Sequence, residues 1–71
     1  MKYTVIIESS ETGYGAYVPD LPGCIAAGSS REEVMELIRE AIEFHIQGLK
    51  DEGLIVPAPS SESELVEVTT V

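Results

Sequence analysis

Three short stretches in the first half of the chain have the pattern of strands. In residues 2–8 (KYTVIIE) and residues 14–18 (YGAYV), every second side chain is apolar and falls on one face. These side chains are Tyr3, Val5, Ile7, Tyr14, Ala16 and Val18. A period of two is typical of strands that are covered on one side. The turn-forming residues SSETG between the two stretches predict a hairpin, and residues 24–27 (CIAA) predict a short third strand.

A corner rich in proline and glycine separates the second and third predicted strands. Pro19 ends the second strand, because proline has no N–H to donate to a neighbouring strand. Pro22 and Gly23 suit the two central positions of a type II turn, whose second central residue needs a positive φ. Gly28 then ends the third strand. We expect the corner to be a rigid connection.

Residues 31–52 have the spacing of an amphipathic helix. Apolar side chains recur every three or four positions, which predicts one buried face. That face consists of Val34, Leu37, Ile38, Ala41, Ile42 and Leu49, with His45 or Ile46 between them. Ser30 and Glu33 have the spacing of a capping box at a helix start, and Gly53 suits the position after the last turn.

A last apolar stretch follows the helix. Residues 54–63, which contain prolines and serines, predict a connection, and residues 64–71 (ELVEVTTV) predict a fourth strand. The element order is then β-β-β-α-β, with three antiparallel strands, one long helix packed on them and a C-terminal strand. This is an α+β fold in a single domain, residues 1–71, whose core lies in residues 2–53.

The small size of the chain favours self-association. A chain of 71 residues has a thin core, and pairing of the last strand between two copies would add buried area. We therefore expect a homodimer or a homotetramer. The candidates for its interface are Leu65, Val66, Val68 and Val71. The alternative is a monomer whose tail folds back onto its own sheet.

Charge narrows the classes of partner. The chain has thirteen acidic and four basic residues, so its formal net charge is -9. Such a surface repels nucleic acids and anionic membranes, and it favours either simple solubility or a basic protein partner. The predicted helix carries acids on its solvent side, next to one aromatic side chain, and these residues are candidates for binding a partner. They are Glu32, Glu36, Glu40, Glu43 and Phe44. With no apolar run long enough to span a membrane, we expect a cytoplasmic protein.

The residue types that build metal and catalytic sites are scarce. One cysteine and one histidine cannot form a zinc site, and we expect no metal and no cofactor. We expect Cys24 to pack as a small apolar residue and His45 to lie at the edge of the core. Glu8 and Asp20 are the one acidic pair that could support metal-dependent hydrolysis. We expect a binding protein and no enzyme, with a minimal hydrolase as the alternative.

The corner and the helix start together resemble a known family. Residues 17–24 (YVPDLPGC), followed by Ala27-Gly28 and by the cap at Ser30, resemble the signature of HicB-type antitoxins. The resemblance implies a partial ribonuclease-H-like fold without nuclease activity. It also implies a partner, a small basic toxin of the HicA type that cleaves messenger RNA. Asp20 and Leu21, within the corner, are further candidates for binding that partner.

The segment after the helix differs from that of many family members, which carry a C-terminal DNA-binding domain. The residues after position 53 have no second helical pattern and no basic residue. We therefore expect a short form of the family with no direct binding of nucleic acid. An orphan, self-associating regulator without a toxin is a further alternative to the toxin-binding antitoxin.

Overall fold

The protein is a three-stranded antiparallel sheet with one helix packed across it. In the computed structural model, which describes residues 1–69, the sheet order follows the chain order. The elements are β1 (Ile6–Ser10), β2 (Gly13–Tyr17), β3 (Ile25–Gly28) and α1 (Arg31–Asp51). This arrangement confirms the predicted α+β class, the hairpin, the third strand and the helix.

The first strand begins later than its sequence pattern predicts. Ile6 pairs with Tyr17, the last residue of β2, so residues 2–5 extend beyond the paired part of the sheet. After Tyr17 the chain turns, and Pro19 offers no N–H that residues 2–5 could pair with. Tyr3 and Val5 nevertheless pack against the core, so the predicted face is confirmed even where the ladder is missing.

The core lies between the sheet and the helix. Its six buried apolar residues come from β2, the corner and α1, namely Ala16, Val18, Leu21, Cys24, Val34 and Ile38. Burial of Cys24 confirms its packing role and raises the pKa of its thiol, since the apolar surroundings disfavour the thiolate. Half-buried side chains of β1, including Ile7, extend the cluster towards the sheet edge.

Local hydrogen bonds fix both ends of α1. The Ser30 hydroxyl accepts a hydrogen bond from the Glu33 backbone N–H at 3.1 Å, as the predicted cap requires. The Glu33 carboxylate in turn accepts from the backbone N–H of Ser29 at 2.6 Å. At the other end, Gly53 has a φ of 71° and donates to the carbonyl of Lys50, while the next N–H donates to the carbonyl of residue 49 at 2.8 Å. This is a Schellman motif, and it stops the helix.

Two residues of the predicted buried helix face lie outside the core cluster, and Leu37 is the exposed one of the two while Leu49 is half-buried. Leu37 is 39% exposed, whereas its neighbour Ile38 is 1% exposed, so the prediction was wrong for Leu37. Consecutive residues lie about 100° apart around a helix, and here Ile38 falls on the side that faces the sheet while Leu37 falls on the side that faces solvent. The covered ridge runs through Val34, Ile38, Ala41, Ile42 and Ile46, while His45 and Leu49 are half-buried beside it.

The predicted C-terminal strand is not formed over residues 64–69, the part of it that the structure describes. Residues 64–69 pair with no strand among the described residues, and Leu65, Val66 and Val68 are 99%, 74% and 70% exposed. A strand forms only where a neighbouring strand supplies backbone partners. No strand of the sheet pairs with residues 64–69. Val71, the remaining interface candidate, lies outside the described residues.

Candidate partner-binding surface

Three backbone hydrogen bonds hold the corner after β2. The Val18 N–H donates to the carbonyl of Cys24, the Leu21 N–H to the carbonyl of Val18, and the Cys24 N–H to the carbonyl of Leu21, at 3.0–3.2 Å. Pro22 and Gly23 lie at the centre of the last turn, and Gly23 has a φ of 86°, as a type II turn requires. These contacts confirm the predicted turn at Pro22 and Gly23.

Leu21 points from the corner into the core. Its side chain is 0% exposed, so it presents no surface to a partner in this conformation. Because it packs where the helix crosses the sheet, Leu21 anchors the corner to the core together with Cys24. Its place in the structure is explained by packing.

Asp20 lies at the tip of the corner and binds the chain's own C-terminal segment. One carboxylate oxygen accepts the backbone N–H groups of Ser60 and Ser61 at 3.0 and 2.9 Å, and the other accepts their hydroxyls at 3.1 and 2.7 Å. The backbone hydrogen bond from Ser61, followed by that from Ser60, lowers the pKa of Asp20 from its ordinary 3.8 to about 2.

Two hydroxyls near the start of the chain hold the same segment from the other side. The Tyr3 hydroxyl donates to the backbone carbonyl of Pro57, and the Thr4 hydroxyl donates to that of Ser61 at 2.7 Å. We refer to residues 57–61 as the C-terminal strap. The strap is bound by side chains of residues that lie 40 to 57 positions away in sequence, so local pattern could not reveal it. Its one sequence signal is the run of serines at positions 60 and 61.

Removing the two strap hydroxyls raises the pKa of Asp20. In a variant that carries Ser60→Ala and Ser61→Ala, the carboxylate loses two donors but keeps two backbone N–H groups. We therefore expect a pKa between about 2 and 3.8, measured by NMR titration of the Asp20 carboxyl carbon. Ser63→Ala, outside the strap, is the control and leaves the pKa unchanged. An unchanged pKa in the double variant contradicts the strap contacts.

The same contacts make attachment of the strap dependent on pH. Because the pKa of Asp20 is lowered when the strap is bound, the ionised carboxylate stabilises the bound form. That contribution is fully present above pH 3.8 and is lost as the pH falls through about 2. At neutral pH the strap is therefore held.

The solvent side of α1 carries the other predicted candidates. The four acids Glu32, Glu36, Glu40 and Glu43 are all exposed, and we refer to them as the acidic helix face. Phe44 is 83% exposed beside them. Leu37, seven positions before Phe44 and therefore on the same side of the helix, adds a second exposed apolar group that the sequence pattern had assigned to the core. The structure thus combines acids with an apolar patch on one surface.

Side chains that could hold a metal ion are not brought together in the described part of the chain. Within residues 1–69, no set of three or more His, Cys, Asp or Glu side chains is placed to hold a metal ion. Asp20 is engaged by the strap, and Glu8 is exposed on β1. Over the same residues, no helix has the length and apolar character needed to cross a membrane.

Similarity to known proteins extends over almost the whole chain. Residues 3–69 match the family described as "HicB_like antitoxin of bacterial toxin-antitoxin system". A UPF0150 protein of Thermoplasma acidophilum is 43% identical over 63 residues, and Antitoxin HicB 2 of Photorhabdus laumondii is 32% identical over 69 residues. An uncharacterized 14.9 kDa protein of Haemophilus phage HP1 is 42% identical over 57 residues.

The lengths of these relatives differ. The match to the Thermoplasma protein covers 87% of this chain and 91% of that protein. The match to the Photorhabdus antitoxin covers 96% of this chain but only 50% of that protein. For the phage protein, the match covers 80% of this chain and 43% of the relative. The chain therefore spans about half the length of two of these three relatives.

A solved structure shares the fold. A chain of the HicA3 and HicB3 toxin-antitoxin complex superposes with a TM-score of 0.72 at 32% identity, over 84% of this chain and 70% of that one. The corner, the capped helix and the three-stranded sheet thus occur together in a sequence that matches one family over residues 3–69. The chain belongs to the HicB-like antitoxins of bacterial toxin-antitoxin systems.

Proposed function

We propose that this protein acts in the cytoplasm as an antitoxin that binds and neutralises a small basic, mRNA-cleaving toxin of the HicA type. The observation that carries the proposal is the structural similarity, at 32% identity, to a chain of a HicA3 and HicB3 complex. The family match over residues 3–69 and the net charge of -9 support it. A toxin that binds RNA presents basic surface, which a strongly acidic inhibitor attracts over long range.

The surface of α1 is the proposed docking site. Its acidic helix face supplies charge that is complementary to a basic partner, which speeds the encounter and orients it. Phe44 and Leu37 supply exposed apolar area beside those charges, and buried aromatic residues commonly dominate binding energy at interfaces. Because α1 is held at both ends and packed on the sheet, binding there requires little ordering of the chain.

The contacts of Asp20 favour a binding function over hydrolysis. Four hydrogen bonds from the strap use both oxygens of its carboxylate, so a metal ion would have to displace the strap. Cys24, the one thiol, is buried with a raised pKa, which disfavours a nucleophilic role. We therefore assign Asp20 a role in positioning the C-terminal segment.

Self-association accompanies this function in our proposal. Leu65, Val66 and Val68 extend from the fold with most of their surface exposed, and a chain of 71 residues gains stability by covering such groups. We propose a homodimer through this segment, with a homotetramer formed from two such dimers as the larger alternative.

A cleavage assay tests the proposed function. The probe is a purified toxin of the HicA type, incubated with messenger RNA in the presence of increasing amounts of this protein. We expect cleavage to stop at a stoichiometric ratio and the two proteins to elute together from a sizing column. The protein alone is the control and leaves the RNA intact. Persistent cleavage at saturating antitoxin, or cleavage by the antitoxin alone, contradicts the proposal.

A further inference from the structure

An apolar groove lies between α1 and the unpaired residues before β1. Tyr3 and Val5 form one side, Met35, Ile42 and Ile46 form the other, and the space between them is about 400 Å³. These side chains pack against the core from one direction and remain partly exposed on the groove side. The groove lies at the outer edge of the sheet, because β1 is the edge strand and nothing in the described chain pairs with residues 2–5.

The segment after the strap has the composition of a strand without a sheet. We refer to residues 62–69 as the C-terminal arm. Leu65, Val66 and Val68 leave most of their apolar surface in water, and Glu64 and Glu67 are exposed next to them in the chain. The residues of the arm are all exposed, so the arm does not cover the groove of its own chain.

The strap fixes the root of the arm at the rim of the groove. Thr4, which holds the carbonyl of Ser61, stands between Tyr3 and Val5 in the chain. From Ser61 the eight residues of the arm reach about 26 Å when extended. That distance is comparable to the 27 Å width of the molecule, so the arm is long enough to lie along a neighbouring copy.

We propose that the C-terminal arm of each copy docks in the groove of a second copy, with Asp20 as the positioning residue that aims the arm. This rests on the homodimer of the proposed function and names its contacts. A two-fold axis lets both copies exchange arms at once, which covers both apolar grooves and both sets of exposed side chains. In the groove, the positive charge of Arg39 attracts the acids of the arm, and the negative charge of Glu43 repels them. Because these two effects offset each other, the apolar contacts supply the affinity.

Cross-linking between two different variants tests where the arm lies. We mix a tagged Val66→Cys protein with an untagged Glu43→Cys protein, expose them to a mild oxidant and look for a disulfide that joins the two. The matched control replaces Glu43→Cys with Thr12→Cys, at the exposed β1–β2 turn on the side away from the groove. The wild type, whose Cys24 is buried, sets the background. We expect a joined pair with Glu43→Cys and none with Thr12→Cys.

A double variant distinguishes exchange from folding back. When Val66→Cys and Glu43→Cys are placed in one chain at high dilution, arm exchange predicts little closure within the chain. Efficient closure there, or no cross-link in the mixture, overturns the proposal. Neither experiment contains toxin, so a failed cross-link refutes the exchanged arm alone, while the cleavage assay tests the proposed function separately.

Light scattering tests the part played by Asp20. We expect the wild-type protein to have twice the 7.7 kDa mass of one chain. A variant that ends at residue 61 should have the mass of a monomer. Asp20→Asn removes the negative charge and one of the two oxygens that accept from the strap, and we expect the dissociation constant of the dimer to rise about tenfold. Glu11→Gln, the same charge change in the exposed β1–β2 turn outside the arm and the groove, is the control. Equal dimer stability in wild type and Asp20→Asn overturns the aiming role.

Discussion

Replacing Ile38 with alanine lowers the free energy of unfolding by about 2–5 kcal/mol. Ile38 is 1% exposed at the centre of the ridge that α1 presents to the sheet, and its loss leaves a cavity that a small core cannot close. Small domains are stable by only about 5–15 kcal/mol, so the variant loses a large share of its stability. Urea unfolding of the two proteins under one buffer condition measures the difference.

Leu37→Ala is the matched control for this prediction. It removes atoms from the neighbouring position of the same helix, but Leu37 is 39% exposed and stands outside the buried cluster. We expect its cost to be clearly smaller than that of Ile38→Ala. Equal losses in the two variants, or a melting curve of Ile38→Ala that overlays the parent's, would contradict the observed rotation of α1 on the sheet.

Replacing Phe44 with alanine weakens toxin binding by about 30-fold, which corresponds to about 2 kcal/mol. Phe44 is 83% exposed, so its removal costs the free protein little stability while it deprives the proposed interface of its one aromatic group. Titration of the toxin with each variant measures the dissociation constant. Unchanged affinity would place the toxin on another surface.

Neutralising the acidic helix face tests the electrostatic half of the same site. A variant with Glu36→Gln, Glu40→Gln and Glu43→Gln should associate more slowly and with a weaker dependence on salt. Its stability should rise slightly, because the like charges at positions 32, 36 and 40 are four residues apart and repel one another. A loss of binding in this variant therefore cannot be attributed to unfolding.

The matched control removes the same charge from elsewhere on the surface. Glu8→Gln, Glu11→Gln and Glu62→Gln together change the net charge equally, and all three positions are exposed and lie outside α1. We expect this control to retain most of the association rate. Equal losses in the two triple variants would show that net charge, and no particular surface, attracts the partner.

Sequence by itself determined the elements whose causes are local. Alternation predicted the strand faces, Ser30 and Glu33 predicted the helix start, and Gly53 predicted its end, because each depends on atoms only a few residues apart. The corner belongs to the same class, since the φ of Gly23 and the turn around it follow from neighbouring residues. The same short stretch carried the resemblance to the antitoxin family.

Only the tertiary structure decided which side chains of those elements are covered. Leu37 and Ile38 satisfy the helical spacing equally well, and the angle at which α1 meets the sheet buries one and exposes the other. Leu21 was a candidate for partner binding, and the turn of the corner directs it into the core. Both outcomes depend on packing between elements, which periodicity along one element does not contain.

The C-terminal segment shows the same division most clearly. Its composition predicts a strand, yet a strand needs a partner, and within residues 1–69 the chain supplies none to positions 64–69. The strap depends on a carboxylate 40 positions away, whose four hydrogen bonds with Ser60 and Ser61 form only when the corner is folded. Contacts between distant residues are fixed by the whole fold, and so the tertiary structure alone decided what Asp20 binds.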